Sequence, residues 1–79
     1  MIKWEPKHRY EEVADDLRDR ILSGEFPPRE TIPAIPRIMQ QYSVGRNTAM
    51  HAVALLVEQG FLIIKRSKGT YVVPPEDRP

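Results

Sequence analysis

Apolar residues recur at helical spacing near the start of the chain. Tyr10, Val13, Ala14, Leu17 and Ile21 stand three and four positions apart, while Glu12, Asp15, Asp16, Arg18, Asp19 and Arg20 fill the other faces. That is one buried stripe on an otherwise solvated helix. It predicts a first helix from about Arg9 to Ser23, with Gly24 as the residue after it, where a left-handed backbone costs glycine nothing. Residues 25–33 hold Pro27, Pro28 and Pro33, which exclude a helix. They read as a turn followed by a short extended piece at Thr31-Ile32. Pro36 suits the first turn of a second, short helix, with Ile35, Ile38, Met39 and Tyr42 as its apolar face. Ser43-Val44-Gly45 breaks the chain. A third helix begins near Arg46, because Ala49, Ala52, Val53 and Leu56 repeat the i, i+3, i+4, i+7 pattern, and Gly60 ends it. The periodicity then changes: Phe61 to Arg66 and Thr70 to Val73 are rich in β-formers around a turn at Ser67-Lys68-Gly69.

The predicted order is helix, short strand, helix, tight turn, helix, hairpin. Two helices joined by a short turn, with the second free to enter a groove, follow helix-turn-helix logic. A C-terminal hairpin with a basic tip makes it winged. The fold class is therefore mainly α with a small β-hairpin (α+β). The expected divisions are an N-terminal arm at 1–8, the winged domain at 9–73 and a flexible tail at 74–79. Tyr10, Leu17, Ile21, Ile38, Tyr42, Val44, Val53, Leu56, Phe61 and Tyr71 are the expected core, and Leu55 and Val57 fall outside the main stripe. These two either fill the core under the hairpin or make a small dimer contact.

Composition narrows the function more than it names it. Seventy-nine residues make one small domain, with 41% hydrophobic and 29% charged residues, as in ordinary globular proteins. There is no cysteine, so neither a disulfide nor a thiolate metal site can form, and a cytoplasmic location is expected. No apolar run approaches the roughly 20 residues that span a bilayer. The net charge of +1 hides an asymmetry. Residues 1–45 carry seven Lys/Arg against eight Asp/Glu, whereas residues 46–73 carry Arg46, Lys65, Arg66 and Lys68 against Glu58 alone. A local basic surface is what phosphate binding requires; four cations on an ordinary solvated surface fit the charge equally well. The acidic cluster Glu11, Glu12, Asp15, Asp16 and Asp19 reads as a solvated face interleaved with Arg18 and Arg20. No Ser/His/Asp set, phosphate loop or metal quartet can be assembled, so an enzyme is not expected, and no cofactor is implied.

A succession of short motifs makes the pattern specific. These are Tyr10, Ala14, Leu17-Arg18, Ile21-Leu22-Ser23-Gly24, Pro27-Pro28, Ile32-Pro33-Ala34, Tyr42-Ser43-Val44-Gly45-Arg46-Asn47-Thr48, Gln59-Gly60 and Lys68-Gly69-Thr70-Tyr71-Val72. From Tyr10 to Val72, in order and spacing, this resembles the N-terminal DNA-binding domain of the GntR family of bacterial transcription regulators. The family pattern also marks departures. Met50 stands where the family has an arginine that contacts DNA, and Gly45 replaces the helix-capping serine. Ile32-Pro33-Ala34-Ile35 replaces Leu-Pro-Ser-Glu, and the first wing glycine is absent from Arg66-Ser67-Lys68-Gly69. A bidentate arginine–guanine pair discriminates by roughly 1–3 kcal/mol, so Met50 predicts a weaker or different sequence preference.

The resemblance implies a DNA surface made of Arg46, Asn47, Thr48, Met50 and His51 on the third helix and Arg66, Ser67, Lys68 and Gly69 on the wing. Arg46 sits where base-edge and phosphate contacts are made. Asn47 can pair with adenine, bond a phosphate or cap the helix. Thr48 can donate to phosphate or pack the turn. Met50 can touch a thymine methyl or pack against the wing. His51 can reach a phosphate or base, or simply be solvated. Gly69 serves turn geometry.

The resemblance further implies a sequence-specific transcriptional regulator, a repressor, with residues 46–59 in the major groove of double-stranded DNA. The wing would lie on the flanking backbone or minor groove. Family operators are palindromic, so a homodimer on DNA is expected. Family members carry a second, effector-binding domain, which the chain stops short of. Between an excised fragment and a stand-alone regulator, Met1 and the polar C-terminus favour the latter. The alternative function is a protein-interaction or dimerisation module with little DNA affinity, which Met50 keeps open.

Overall fold

In the computed structural model, which describes residues 7–79, helix α1 runs Arg9–Leu22, one residue short of the expected end. Val13, Ala14, Leu17 and Ile21 are its buried stripe, and Gly24 follows with φ 88°. Its start is held by Glu11, whose side chain accepts the backbone N–H of His8 at 3.0 Å, one half of a capping box. Helix α2 spans Ile35–Tyr42 with Pro36 in its first turn, and α3 spans Arg46–Glu58. Strands β1 (Leu62–Lys65) and β2 (Gly69–Val72) pair antiparallel, Leu62 opposite Val72 and Lys65 opposite Gly69. The expected short strand appears as a single antiparallel bridge from Thr31 to Tyr71. It is extended by the Ile32 N–H donating to Thr70 O and the Val72 N–H donating to Glu30 O, both at 2.9 Å.

These elements make a winged helix-turn-helix around one core. Buried side chains come from α1, from Ile38 of α2 and from Ala49, Ala52, Val53 and Leu56 of α3; Phe26, Ile32, Leu62, Val72 and Val73 complete it. Each leucine or isoleucine hidden here contributes about 1.5–3 kcal/mol. Phe26, Leu62 and Val72 were not among the core residues that the spacing suggests. Conversely Tyr10, Tyr42, Val44, Phe61 and Tyr71 are only half-buried, the first four packed against the rim of the core. Leu55 and Val57 pack against the core from outside the stripe.

Helix α1 clamps the α2–α3 pair at three points. Arg9 donates to the Tyr42 carbonyl at 2.8 Å, satisfying a C-terminal carbonyl of α2 that has no partner within the helix. The Tyr42 phenol donates to Asp16 and accepts from Arg20 at 3.0 Å. Burial, and then the hydrogen bond to Asp16, hold that phenol above its ordinary pKa. Arg18 reaches Gln59 at the far end of α3 at 2.9 Å.

Of the two turns, the one at the wing differs from its expectation and the one between α2 and α3 falls at 43–45 as expected. The wing turn is Arg66-Ser67-Lys68, one residue earlier than the glycine suggested, because Gly69 already pairs with Lys65 and Ser67 takes the left-handed conformation with φ 63°. In the turn between α2 and α3, Ser43 adopts φ 54° and ψ 48°, and the Val44 N–H closes onto Met39 O. In the stretch expected to be a tail, Pro75–Asp77 form one 3-10 turn. Glu76 pairs with Arg29 at 2.8 Å and the Arg78 guanidinium lies 5.4 Å from the centre of the Phe61 ring.

Candidate nucleic-acid interface

Helix α3 is two-faced. Ala49, Ala52, Val53 and Leu56 are buried; Asn47, Met50 and His51 are exposed on the other face, Arg46 is exposed as the first residue of the helix, and Thr48 is half-buried. Gly45 is the residue before the helix, and no side chain caps it. Asn47 therefore does not act as a cap, and the first backbone N–H groups of α3 stay open to an acceptor from outside. Met50 is 50% exposed. His51 is exposed but not simply solvated: its ring stacks on Tyr10 of α1, centroids 3.6 Å apart and planes 7° from parallel.

The wing stands beside this helix. A cleft of about 470 Å³ is lined by Ile35 of α2, Val53 of α3 and Lys68, Gly69 and Thr70 of the wing, so the hairpin adjoins α2 and α3 at Ile35 and Val53. Arg66, Ser67, Lys68 and Gly69 are all exposed. Leu62 and Val72 carry the hairpin's attachment to the core, while Ile64, the next residue facing that way, is 64% exposed where the strands leave the core.

Charge pairing divides the cations of the domain into two sets. Lys7, Arg9, Arg18, Arg20 and Arg29 each have a carboxylate partner. Asp15, held by Lys7 and Arg18, has its carboxyl below the usual range, chiefly through the hydrogen bond from Lys7. Arg37, Arg46, Lys65, Arg66, Lys68 and Arg78 enter no ion pair among the described residues. Arg78 instead donates to the Val73 carbonyl and lies over Phe61; the other five lie on the first turn of α2, the first turn of α3 and the wing. Arg37 is the residue that sequence reasoning passed over; its signal was a cation directly after Pro36 at a helix start. Among the described residues no group of three or more potential metal ligands occurs, and no helix is long and apolar enough to cross a membrane.

Comparison with known proteins agrees with this architecture. The model of the family described as bacterial regulatory proteins, gntR family, matches residues 9–72. The mannosyl-D-glycerate transport/metabolism system repressor MngR of Escherichia coli K12 is 35% identical over 66 residues, covering 84% of this chain and 28% of the relative. The HTH-type transcriptional repressor NagR of Bacillus subtilis 168 is 28% identical over 74 residues, covering 94% of this chain and 30% of the relative. This chain thus spans less than a third of either regulator. Among solved structures, the AraR DNA-binding domain in complex with operator ORE1 superposes with a TM-score of 0.84 at 30% identity, covering 92% of this chain and 89% of that one. A putative GntR-family regulator gives 0.79 at 34% identity, covering 86% of this chain and 27% of that one. With the family model matched from the first residue of α1 to the last of β2, this chain belongs to the gntR family of bacterial regulatory proteins.

Proposed function

We propose that this domain binds double-stranded DNA sequence-specifically and acts in transcriptional repression. The observation that carries the reading is its likeness to AraR domains solved on operator DNA, at a TM-score of 0.84. Helix α3 enters the major groove, with Arg46 and Asn47 on base edges or phosphate and Thr48, Met50 and His51 beside them. Arg66, Ser67, Lys68 and Gly69 follow the flanking backbone or minor groove, and Arg37 adds a phosphate contact from α2. One domain covers one half-site, so a palindromic operator is bound by two copies. The protein acts in the cytoplasm, where that DNA is.

Met50 changes what is read. A thioether makes apolar contact, for instance with a thymine methyl, whereas arginine selects guanine through two hydrogen bonds. Selection from a pool of random duplexes tests this. A defined half-site is expected, with Met50→Arg shifting its preference towards guanine at one position. A pool that emerges without enrichment contradicts sequence-specific binding.

A further inference from the structure

Resting on that DNA-binding reading, we propose that Tyr10 is a specificity-determining positioning residue: by stacking on His51 it fixes the imidazole so that its edge addresses one base step. The two rings come from different helices, and their centroids are 3.6 Å apart at 7°. At that separation parallel rings overlap almost fully. The His8 ring also lies stacked near Tyr10, at 5.8 Å and 13°. Tyr10 also packs against the core, which gives the stack a rigid base.

Stacking consumes the face of the imidazole and leaves its edge free. Both ring nitrogens lie on that edge, where hydrogen bonds form in the ring plane. None of the hydrogen bonds among the described residues uses a His51 nitrogen. His51 stands one helical turn from Asn47, on the exposed face of α3. An unstacked histidine there would lose rotamer freedom on binding; this one has lost it on folding, which is preorganisation. The discrimination made by His51 thus depends on a residue outside the helix-turn-helix.

The test uses the whole chain, the half-site selected from random duplexes and a duplex of unrelated sequence. Tyr10→Leu keeps apolar bulk without a planar face, and Tyr10→Phe keeps the face without the hydroxyl. Tyr10→Leu and His51→Ala are each expected to weaken the selected duplex about three- to tenfold and the unrelated one little. The double variant should bind no more weakly than His51→Ala alone, and Tyr10→Phe should match the unmodified protein. Upfield ring-current shifts of the His51 ring protons should vanish in Tyr10→Leu and persist in Tyr10→Phe. If Tyr10→Leu has no effect, or the same effect without His51, the proposal is overturned while the DNA interface stands. If no duplex binds, or Arg46→Ala changes nothing, the interface reading fails and this proposal with it.

Discussion

Thr31 and Tyr71 form an isolated antiparallel bridge that ties the return strand of the wing to the segment before α2. Gly69 lies at the outer end of that contact. Its φ is 118°, and a Cβ there would come within 3.3 Å of Thr31 Cγ2. The wing therefore does not hang from the core by the Leu62–Val72 pair alone.

Gly69→Ala is expected to destabilise the domain by about 1–3 kcal/mol, since a side chain must take a strained backbone and push on Thr31. Urea unfolding measures the loss. Gly69→Ala should also weaken DNA binding when the protein is still fully folded, because the tip carrying Lys68 moves with it.

Ser43 makes the opposite case. It holds φ 54° in the turn between α2 and α3, a left-handed backbone that glycine takes without steric cost. Ser43→Gly removes side-chain strain in a left-handed residue but frees the unfolded chain. The net expectation is a stabilisation of up to about 1 kcal/mol, read from the urea midpoint, with DNA affinity unchanged.

Acid should act through Asp15. Its folded carboxyl titrates below the usual 3.8, first because Lys7 donates to it and then because Arg18 does. Below 3.8 the unfolded chain takes up the proton more readily than the folded one, so this contribution is complete above 3.8 and is lost as pH falls through the folded value. Thermal unfolding followed from pH 5 downwards should show the acid loss of stability shallower in Asp15→Asn than in the unmodified protein.

Salt dependence should separate the two classes of cation. Arg66→Ala, Lys68→Ala and Arg37→Ala, each removing a phosphate contact, should each lower the slope of log affinity against log salt by about 1. Arg18→Ala should leave it unchanged, because Arg18 faces Asp15 and Gln59.

The helices were legible because their periodicity is strong and their ends are marked. The stripe from Val13 to Ile21, Pro36 and the Ala49–Leu56 pattern place all three within a residue or two. The wing turn was displaced because a glycine normally claims the left-handed position, and here Ser67 takes it. Phe26 was missed because it lies in a proline-rich connection with no periodicity, yet it is buried with Arg20 stacked 4.3 Å above its ring. The exposed cations of the candidate interface were visible as residues, but their freedom from ion pairs was not. Pairing such as Lys7 with Asp15 depends on three-dimensional reach. The stack of Tyr10 on His51 had no signal at all, since 41 positions separate the rings and each fits its own helix pattern.

The most direct measurement is backbone amide chemical-shift mapping with random-sequence duplexes at low salt and again near physiological salt. The account predicts shifts gathered on residues 45–51 and 66–70, with Tyr10 and Arg37 included, and fading as salt rises. Shifts confined to the acidic face of α1, or none at low salt, would contradict it.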